Sequence, residues 1–328
     1  MSLLIRIGAR GPLVVEIQRK LQALQLYLGE LDGHFGGGTL SGVKNFQRKN
    51  QLQVDGIVGP KTWAVLYPGR EPMEHFLPQK TSLLQRCLEL TATIETGHKA
   101  PRCYTRVAGN FDRQGISYGA LQWNLGQRSL QPLFQTYETR HPNGLEEVFD
   151  DYAPVLREVF QKPLQEQLAW AVSIQTAKYR VMEPWVGFFE ALGMRKEFQD
   201  IQIEFAAARY KKALGYCRTY QVNSERAVAM MFDIVTQNGS IGKTTREQIF
   251  QRFAETAFSE DPSVKEVQQL EIIARLRAQA SAKRWQSDVL SRKLTIARGE
   301  GVIHGEYFDL ETIYGIRNVQ AGELIGKP

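Results

Sequence analysis

Apolar residues recur at helical spacing near the start of the chain and again after a polar, proline-rich gap. Val14, Ile17, Leu21 and Leu24 form one stripe at intervals of three and four, and Leu40, Val43 and Phe46 form a second. A short third helix is predicted from Pro60, because the fixed φ and missing N–H of proline suit a first helical position. Two copies of one turn unit separate these helices, Asp32-Gly33-His34-Phe35-Gly36 and Asp55-Gly56-Ile57-Val58-Gly59. In each copy Asp-Gly supplies the turn and the later glycine lets the chain enter the next helix. Beyond the gap, Leu83, Leu84, Cys87, Leu88, Thr91 and Ile94 trace one buried face of a helix that begins near Ser82 and stops at Gly97. The stretch Ala227, Val228, Met230, Met231, Phe232, Ile234 and Val235 is apolar on nearly every side and predicts a buried helix. Asp233 within it calls for cationic partners, since an unpaired buried charge is very costly.

These patterns divide the 328 residues into a small module (1–68), a linker (69–80) rich in proline and polar residues, and a larger, mostly helical domain (81–328). No stretch approaches ~18 consecutive apolar residues, so no membrane insertion is expected. Nothing after Met1 resembles a secretory signal. The expectation is synthesis in the cytoplasm and arrival at the site of action by lysis or by another delivery system. The net charge of +6 suits anionic envelopes and nucleic acid alike. With no basic run interleaved with aromatics, a nucleic-acid partner is rejected. Cys87, Cys103 and Cys217 form no disulfide framework. The five histidines (His34, His75, His98, His141, His304) are scattered without metal-ligand spacing, so neither metal nor cofactor is expected. Pairing Cys103 with His304 as a thiol nucleophile and base finds no nucleophile motif around either.

Two carboxylates carry the candidate chemistry. Glu95 sits where the apolar helix face meets Gly97, and apolar packing beside it would favour its protonated form. Asp112 opens a Gly-rich, strand-like hairpin, Asp112-Arg113-Gln114-Gly115-Ile116-Ser117-Tyr118-Gly119-Ala120-Leu121-Gln122-Trp123. Glycosidic cleavage needs such a pair: one carboxyl to protonate the leaving oxygen, another to activate water or stabilise an oxocarbenium ion.

From Leu83 to Tyr137 the chain resembles family-46 chitosanases of the lysozyme-like superfamily, in which a helix ends in the acid Glu and the base Asp follows after a short connection. Asp112, Gly115 and Ser117 keep that order, followed by Gly119-Ala120-Leu121-Gln122-Trp123 and Gly126-Gln127. The family usually has Thr at the position of Ser117, where the hydroxyl helps hold the attacking water. More thinly, over residues 82–310, Phe232-Asp233-Ile234-Val235 resembles the family's central helix, where an Asp joins two arginines in a buried network behind the acid. Arg292 and Arg298 are similar to those arginines in spacing. The resemblance implies a mainly α (α+β), lysozyme-like, two-lobed domain with a small β-hairpin.

The N-terminal part closely resembles the peptidoglycan-binding-1 domain, a three-helix cell-wall module. The matching residues are Gly8, Gly11, Val15, Gln18, Leu21, Asp32, Gly33, Phe35, Gly36, Thr39, Val43, Phe46, Gln47, Asp55, Gly56, Val58, Gly59, Thr62 and Trp63. Together the two resemblances imply a modular peptidoglycan hydrolase, akin to a phage endolysin or a delivered antibacterial lysozyme. It is expected to act as a monomer on glycan strands as an inverting muramidase. Glu95 is the expected acid, Asp112 the base and Ser117 the water-orienting hydroxyl, with Gln114, Tyr118, Gln122, Trp123 and Asn124 lining the cleft. Asp233, Arg292 and Arg298 would stand behind them. Trp123 suits either sugar stacking or core. The alternatives are a chitosanase, a lytic transglycosylase that closes an anhydro ring without water, or a wall-binding protein without activity.

Overall fold

The computed structural model describes residues 5–9, 12–69, 81–110 and 113–322; most of the linker (70–80) and Asp112 lie outside the described residues. The helices are α1 (Pro12–Ala23), α2 (Gly37–Lys49), α3 (Pro60–Leu66), α4 (Leu83–Thr96), α5 (Gln131–Arg140), α6 (Glu146–Phe149), α7 (Ala153–Gln161) and α8 (Leu164–Ser173). They continue as α9 (Trp185–Met194), α10 (Lys196–Tyr220), α11 (Glu225–Asn238), α12 (Lys243–Glu255), α13 (Pro262–Gln279), α14 (Gln286–Arg298) and α15 (Leu310–Tyr314). Strands β1 (Val107–Ala108), β2 (Ser117–Tyr118) and β3 (Trp123–Asn124) form one antiparallel sheet, and β4 (Glu300–Ile303) pairs with β5 (Glu306–Asp309). The fold is therefore mainly α with a small β part. It divides into two compact units, one comprising Met1–Arg86, Tyr220–Met230 and Ile241–Pro328, the other Cys87–Thr219 and Met231–Ser240.

In the first unit, the N-terminal module closes on a core of Ile5, Val14, Ile17, Leu21, Phe35, Val43, Phe46, Val58, Trp63 and Leu66. Leu24 is the departure from the predicted stripe. Helix α1 ends at Ala23 and Gln25 takes a positive φ, so the periodicity breaks and Leu24 is exposed. The duplicated turn is held the same way in both copies. In the first, the buried Gln18 carboxamide places Nε2 2.7 Å from Asp32 Oδ1, 3.0 Å from the His34 carbonyl and 3.1 Å from Thr39 Oγ1. Its Oε1 accepts from the Gly33 N–H at 2.9 Å. In the second, Gln47 Nε2 lies 2.8 Å from Asp55 Oδ1, 2.9 Å from the Ile57 carbonyl and 3.2 Å from Thr62 Oγ1, while Oε1 accepts from the Gly56 N–H at 2.8 Å. The repeat is thus a repeat of chemistry, in which one neutral side chain supplies donor and acceptor to a turn that cannot satisfy itself.

Elsewhere in this unit the module's first segment meets the second hairpin. Arg6 donates to Glu300, whose carboxylate also accepts from the Tyr307 hydroxyl, and these bonds hold the Glu300 carboxyl below its ordinary value. A Cβ at Gly8 would lie 2.7 Å from the Tyr307 ring, so only glycine permits that approach. The start of α4 is fixed by a buried ion pair. Arg86 Nη2 donates to Glu225 Oε1 at 2.8 Å and Nη1 to Oε2 at 3.0 Å, and the Arg317 N–H donates to the same carboxylate at 3.0 Å.

The second unit holds most of α4 and the three-stranded sheet. Leu83, Cys87, Leu88, Thr91 and Ile94 are buried as the spacing predicts, and Leu84 is half-buried. Gly97, at φ +73°, ends the helix. The α11 helix is buried throughout Ala227–Val235, Asp233 included.

Replacing Gln47 by Ala is expected to strand the buried Gly56 N–H and to lower the stability of the module by about 1–3 kcal/mol. Gln18→Ala should behave alike through Gly33. Urea denaturation followed by Trp63 fluorescence measures both, and an unchanged midpoint would show that water replaces the carboxamide at no cost.

Candidate active site

Helix α4 brings Glu95 to its last turn, between buried Ile94 and the terminating Gly97. The Glu95 side chain is exposed, which corrects the expectation that apolar packing encloses it. The buried face of α4 ends at Ile94, and the next position points away from it by helical geometry. What the backbone gives Glu95 is access.

The sheet follows after the turn at residues 97–106. Val107 pairs with Tyr118 and Ala108 with Ser117, and on the other side Ser117 pairs with Asn124 and Tyr118 with Trp123. The connection between β1 and β2 is described at residues 109–110 and 113–116, and Asp112 falls outside the described residues. Its two sides are joined by Asn110, whose Oδ1 accepts from the Gly115 N–H at 2.7 Å and whose carbonyl accepts from the Arg113 N–H at 3.2 Å. Gly115 is buried at φ +82°, and a Cβ there would lie 3.0 Å from both Leu125 and Leu168. That glycine was legible from the hairpin pattern; Asn110 was not.

The remaining candidates divide between lining and scaffold. Ser117 is nearly buried and its Oγ accepts from Asn124 Nδ2 at 2.9 Å. Asn124 is itself buried and committed to the hairpin: its N–H donates to Ser129 Oγ at 2.7 Å and its Oδ1 accepts from the Gln127 N–H at 3.1 Å. Asn124 therefore builds the turn instead of facing a sugar. Tyr118 is core, not cleft. Its ring packs among Phe134, Phe189 and Phe198, its hydroxyl donates to the Phe189 carbonyl at 2.6 Å, and burial pushes its phenol well above the usual range. Trp123 is likewise buried, with its ring against Gly119. The alternation of β2 and β3 does not rescue these side chains, because both faces of so small a sheet are covered. Gln122 and Gln114 stay half-buried. Gln122, at φ +50°, spends its amide on the carbonyls of Gly119 (2.9 Å) and Arg106 (3.1 Å). Gln114 packs on Gly126, whose N–H donates to the Gln114 carbonyl at 2.8 Å.

Of the residues expected behind the acid, Asp233 is fully buried in the second unit and Arg292 is buried in the first. Arg298 is not part of a buried network. Its side chain is half exposed and donates to Glu271 at 2.7 Å. The buried cation next to Arg292 along α14 is Lys293.

Two glutamines outside every motif named from the sequence complete the scaffold. Gln202, buried on α10, accepts from the Ala120 N–H at 2.8 Å and donates to the Tyr104 carbonyl at 3.1 Å. Its signal was a polar residue on a face otherwise made of Phe198, Ile201 and Phe205. Gln175 follows α8 and accepts from the Asn110 N–H at 2.7 Å; no sequence signal marked it. Among the described residues no group of three or more His, Cys, Asp or Glu is placed to hold a metal ion, and no helix is long and apolar enough to cross a membrane.

Comparison with known proteins gives the N-terminal module a family. Residues 10–66 match the model described as a putative peptidoglycan binding domain. The spore cortex-lytic enzyme of Bacillus cereus is 45% identical over 62 residues, 19% of this chain and 24% of that enzyme. The N-acetylmuramoyl-L-alanine amidase CwlM of Mycobacterium tuberculosis is 44% identical over 57 residues, 17% of this chain and 14% of that one. The chain thus spans about a quarter or less of the length of these two relatives. Among solved structures, the GH46 chitosanase of Gynuella sunshinyii in complex with chitotetraose is 14% identical with a TM-score of 0.45, covering 70% of this chain and 97% of that one. Within this protein, residues 10–66 are a module of the peptidoglycan-binding type.

Proposed function

We propose that the protein is a peptidoglycan hydrolase that cuts β-1,4 bonds of the glycan strand as a muramidase, with inversion. The observation that carries the substrate is the wall-binding module at residues 10–66. In this reading residues 1–68 deliver the enzyme, 69–80 link, and 81–328 form the glycosidase. Glu95, exposed at the end of α4, protonates the leaving oxygen, and its desolvation comes from the bound sugar. Asp112 takes a proton from the attacking water. Ser117, whose Oγ already accepts from Asn124, keeps its own proton to donate toward that water. Inversion requires the two carboxyls to stand roughly 6.5–9.5 Å apart, leaving room for water on the far face of the ring.

Local charge favours this substrate over chitosan. Between Glu95 and Arg128 these two carboxylates are the only acidic residues, against Lys99, Arg102, Arg106, Arg113 and Arg128. All four arginines are exposed. A polymer of glucosamine cations needs acidic counterparts along its track, and exposed arginines in this stretch of sequence disfavour it. A wall glycan, acetylated on its amines and bearing lactyl and peptide carboxylates, suits it.

Zymography on purified peptidoglycan beside chitosan tests the substrate. Clearing is expected on peptidoglycan alone and should fall ~10²-fold or more in Glu95→Gln, which keeps the shape but cannot donate the proton. Clearing of chitosan alone would overturn the reading, and near wild-type clearing by the variant would remove Glu95 from the mechanism.

The products separate hydrolysis from transglycosylation. Digestion in ¹⁸O-water is expected to yield free reducing ends labelled at the new anomeric carbon, and Asp112→Asn should abolish them, because a neutral amide cannot take the proton. Anhydro-muramic ends insensitive to that substitution would make the enzyme a lytic transglycosylase.

A further inference from the structure

The connection between α13 and α14 ends in Lys283-Arg284-Trp285, and all three side chains are exposed. Trp285 leaves 54% of its surface open, on a residue type whose ring gains most from a partner. Its backbone is fixed. The Trp285 N–H donates to the Ala282 carbonyl at 2.8 Å, and Gln286 Nε2 donates to the carbonyls of Gln279 at 3.0 Å and Ser281 at 3.2 Å. The Arg284 guanidinium stands over the indole, 5.3 Å from the ring centroid, a contact that orients the ring. From Ile272 to Ser287 the sequence holds Arg275, Arg277, Lys283 and Arg284 and no acidic residue. Arg275 pairs with Glu271 at 3.5 Å and Arg277 Nη1 donates to Ser281 Oγ at 3.2 Å. Among the described residues Lys283 and Arg284 have no acidic partner. The β4–β5 hairpin joins this tip to the wall-binding module. At its turn, His304 Nε2 lies 2.5 Å from Asp288 Oδ1, and Asp288 is one helical turn beyond Trp285. At its other end Glu300 accepts from Arg6, and Tyr307 packs on Gly8. The run from Glu300 to His304 is about 13 Å of extended chain. All of these residues belong to the first unit.

We infer that Trp285, with Lys283 and Arg284, is a second glycan contact, in which the indole stacks on a pyranose ring and the two cations meet a carboxylate of the same strand. The ligand class is an N-acetylated glycan bearing lactyl or peptide carboxylates, so the inference rests on the reading of the substrate as peptidoglycan. A rigid, exposed indole offers contact area at low entropic cost. Its neighbours along the chain are Ala282, Lys283, Arg284, Gln286 and Ser287, so the apolar area is one ring wide. That width suits a sugar and falls short of what a protein or membrane interface buries. Binding of the wall by the module raises the effective concentration of glycan at Trp285.

The test uses the full chain carrying Glu95→Gln, with soluble uncross-linked peptidoglycan fragments as one probe and glucosamine oligomers as the other. The indole N–H resonance of Trp285, identified by its loss in Trp285→Phe, is expected to shift saturably with the wall fragments and to stay in place with the glucosamine oligomers. Retention on purified sacculi should fall ~10-fold in Trp285→Ala, at an unchanged melting temperature, and stay near wild type in Trp285→Tyr. Lys283→Ala combined with Arg284→Ala should lower retention about threefold. A Trp285 resonance unmoved by wall fragments would overturn the inference, and so would wild-type retention by Trp285→Ala. Wild-type clearing of peptidoglycan beside either result would leave the proposed function standing. Equal shifts with both probes would overturn the part given to Lys283 and Arg284. A resonance moved by glucosamine oligomers alone would overturn the ligand class, and clearing of chitosan alone in the zymogram would then overturn the substrate as well.

Discussion

Buried backbone amides at turns need partners, and in this protein glutamine carboxamides supply them. Gln18 caps the N–H of Gly33, Gln47 that of Gly56, Gln175 that of Asn110 and Gln202 that of Ala120. Gln131 and Gln167 extend the same device. Gln131 donates to the Leu125 carbonyl and to Gln167, which in turn donates to the Lys162 carbonyl, each at 2.8–2.9 Å. A carboxamide suits the task because it offers donor and acceptor on a side chain long enough to cross from helix to loop. It also carries no charge whose desolvation would offset the bond. Loops that would otherwise need solvent can then be packed against helices.

That arrangement explains how so small a sheet is held in place. Each of β1, β2 and β3 is only two residues long, and isolated strands of that size have little stability of their own. The sheet stands because Tyr118 anchors it in an aromatic cluster and because Gln202 and Gln175 bond its turns from α10 and the end of α8. The side chains nearest the proposed chemistry are consequently spent on structure. Asn124 and Tyr118 hold the hairpin, and the exposed side chains of the same stretch of sequence include Arg102, Arg106, Arg113 and Arg128.

Charge is buried sparingly and in a different style. Arg86 and Glu225 meet in a two-point pair whose remaining lone pairs are taken by the Arg317 amide, a geometry in which desolvation is compensated. Arg298, by contrast, stays at the surface with Glu271. Spacing along α14 made Arg292 and Arg298 equivalent, six residues apart. An interval of six does not return to the same helix face, so only one of them goes inward with the core.

Local pattern by itself determined the helices whose apolar positions repeat: α1 to α4, the burial of α11, the duplicated Asp-Gly turn and the glycines that end or bend the chain. These follow from period and from φ, which are properties of neighbouring residues. The part of Gln18 and Gln47 was not legible from spacing, since one lies 15 residues before the glycine it caps and the other 9. Only the tertiary structure decided that Tyr118, Trp123 and Asn124 face inward, since in a two-residue strand alternation says nothing about which side is covered. It alone decided that Glu95 is open, that Arg298 is at the surface, and that Asn110 is held by a residue 65 positions away. A hydrogen bond across that separation leaves no trace in either local sequence, because any polar side chain of the right length satisfies the pattern and only the packing of α8 against the loop selects the one that reaches.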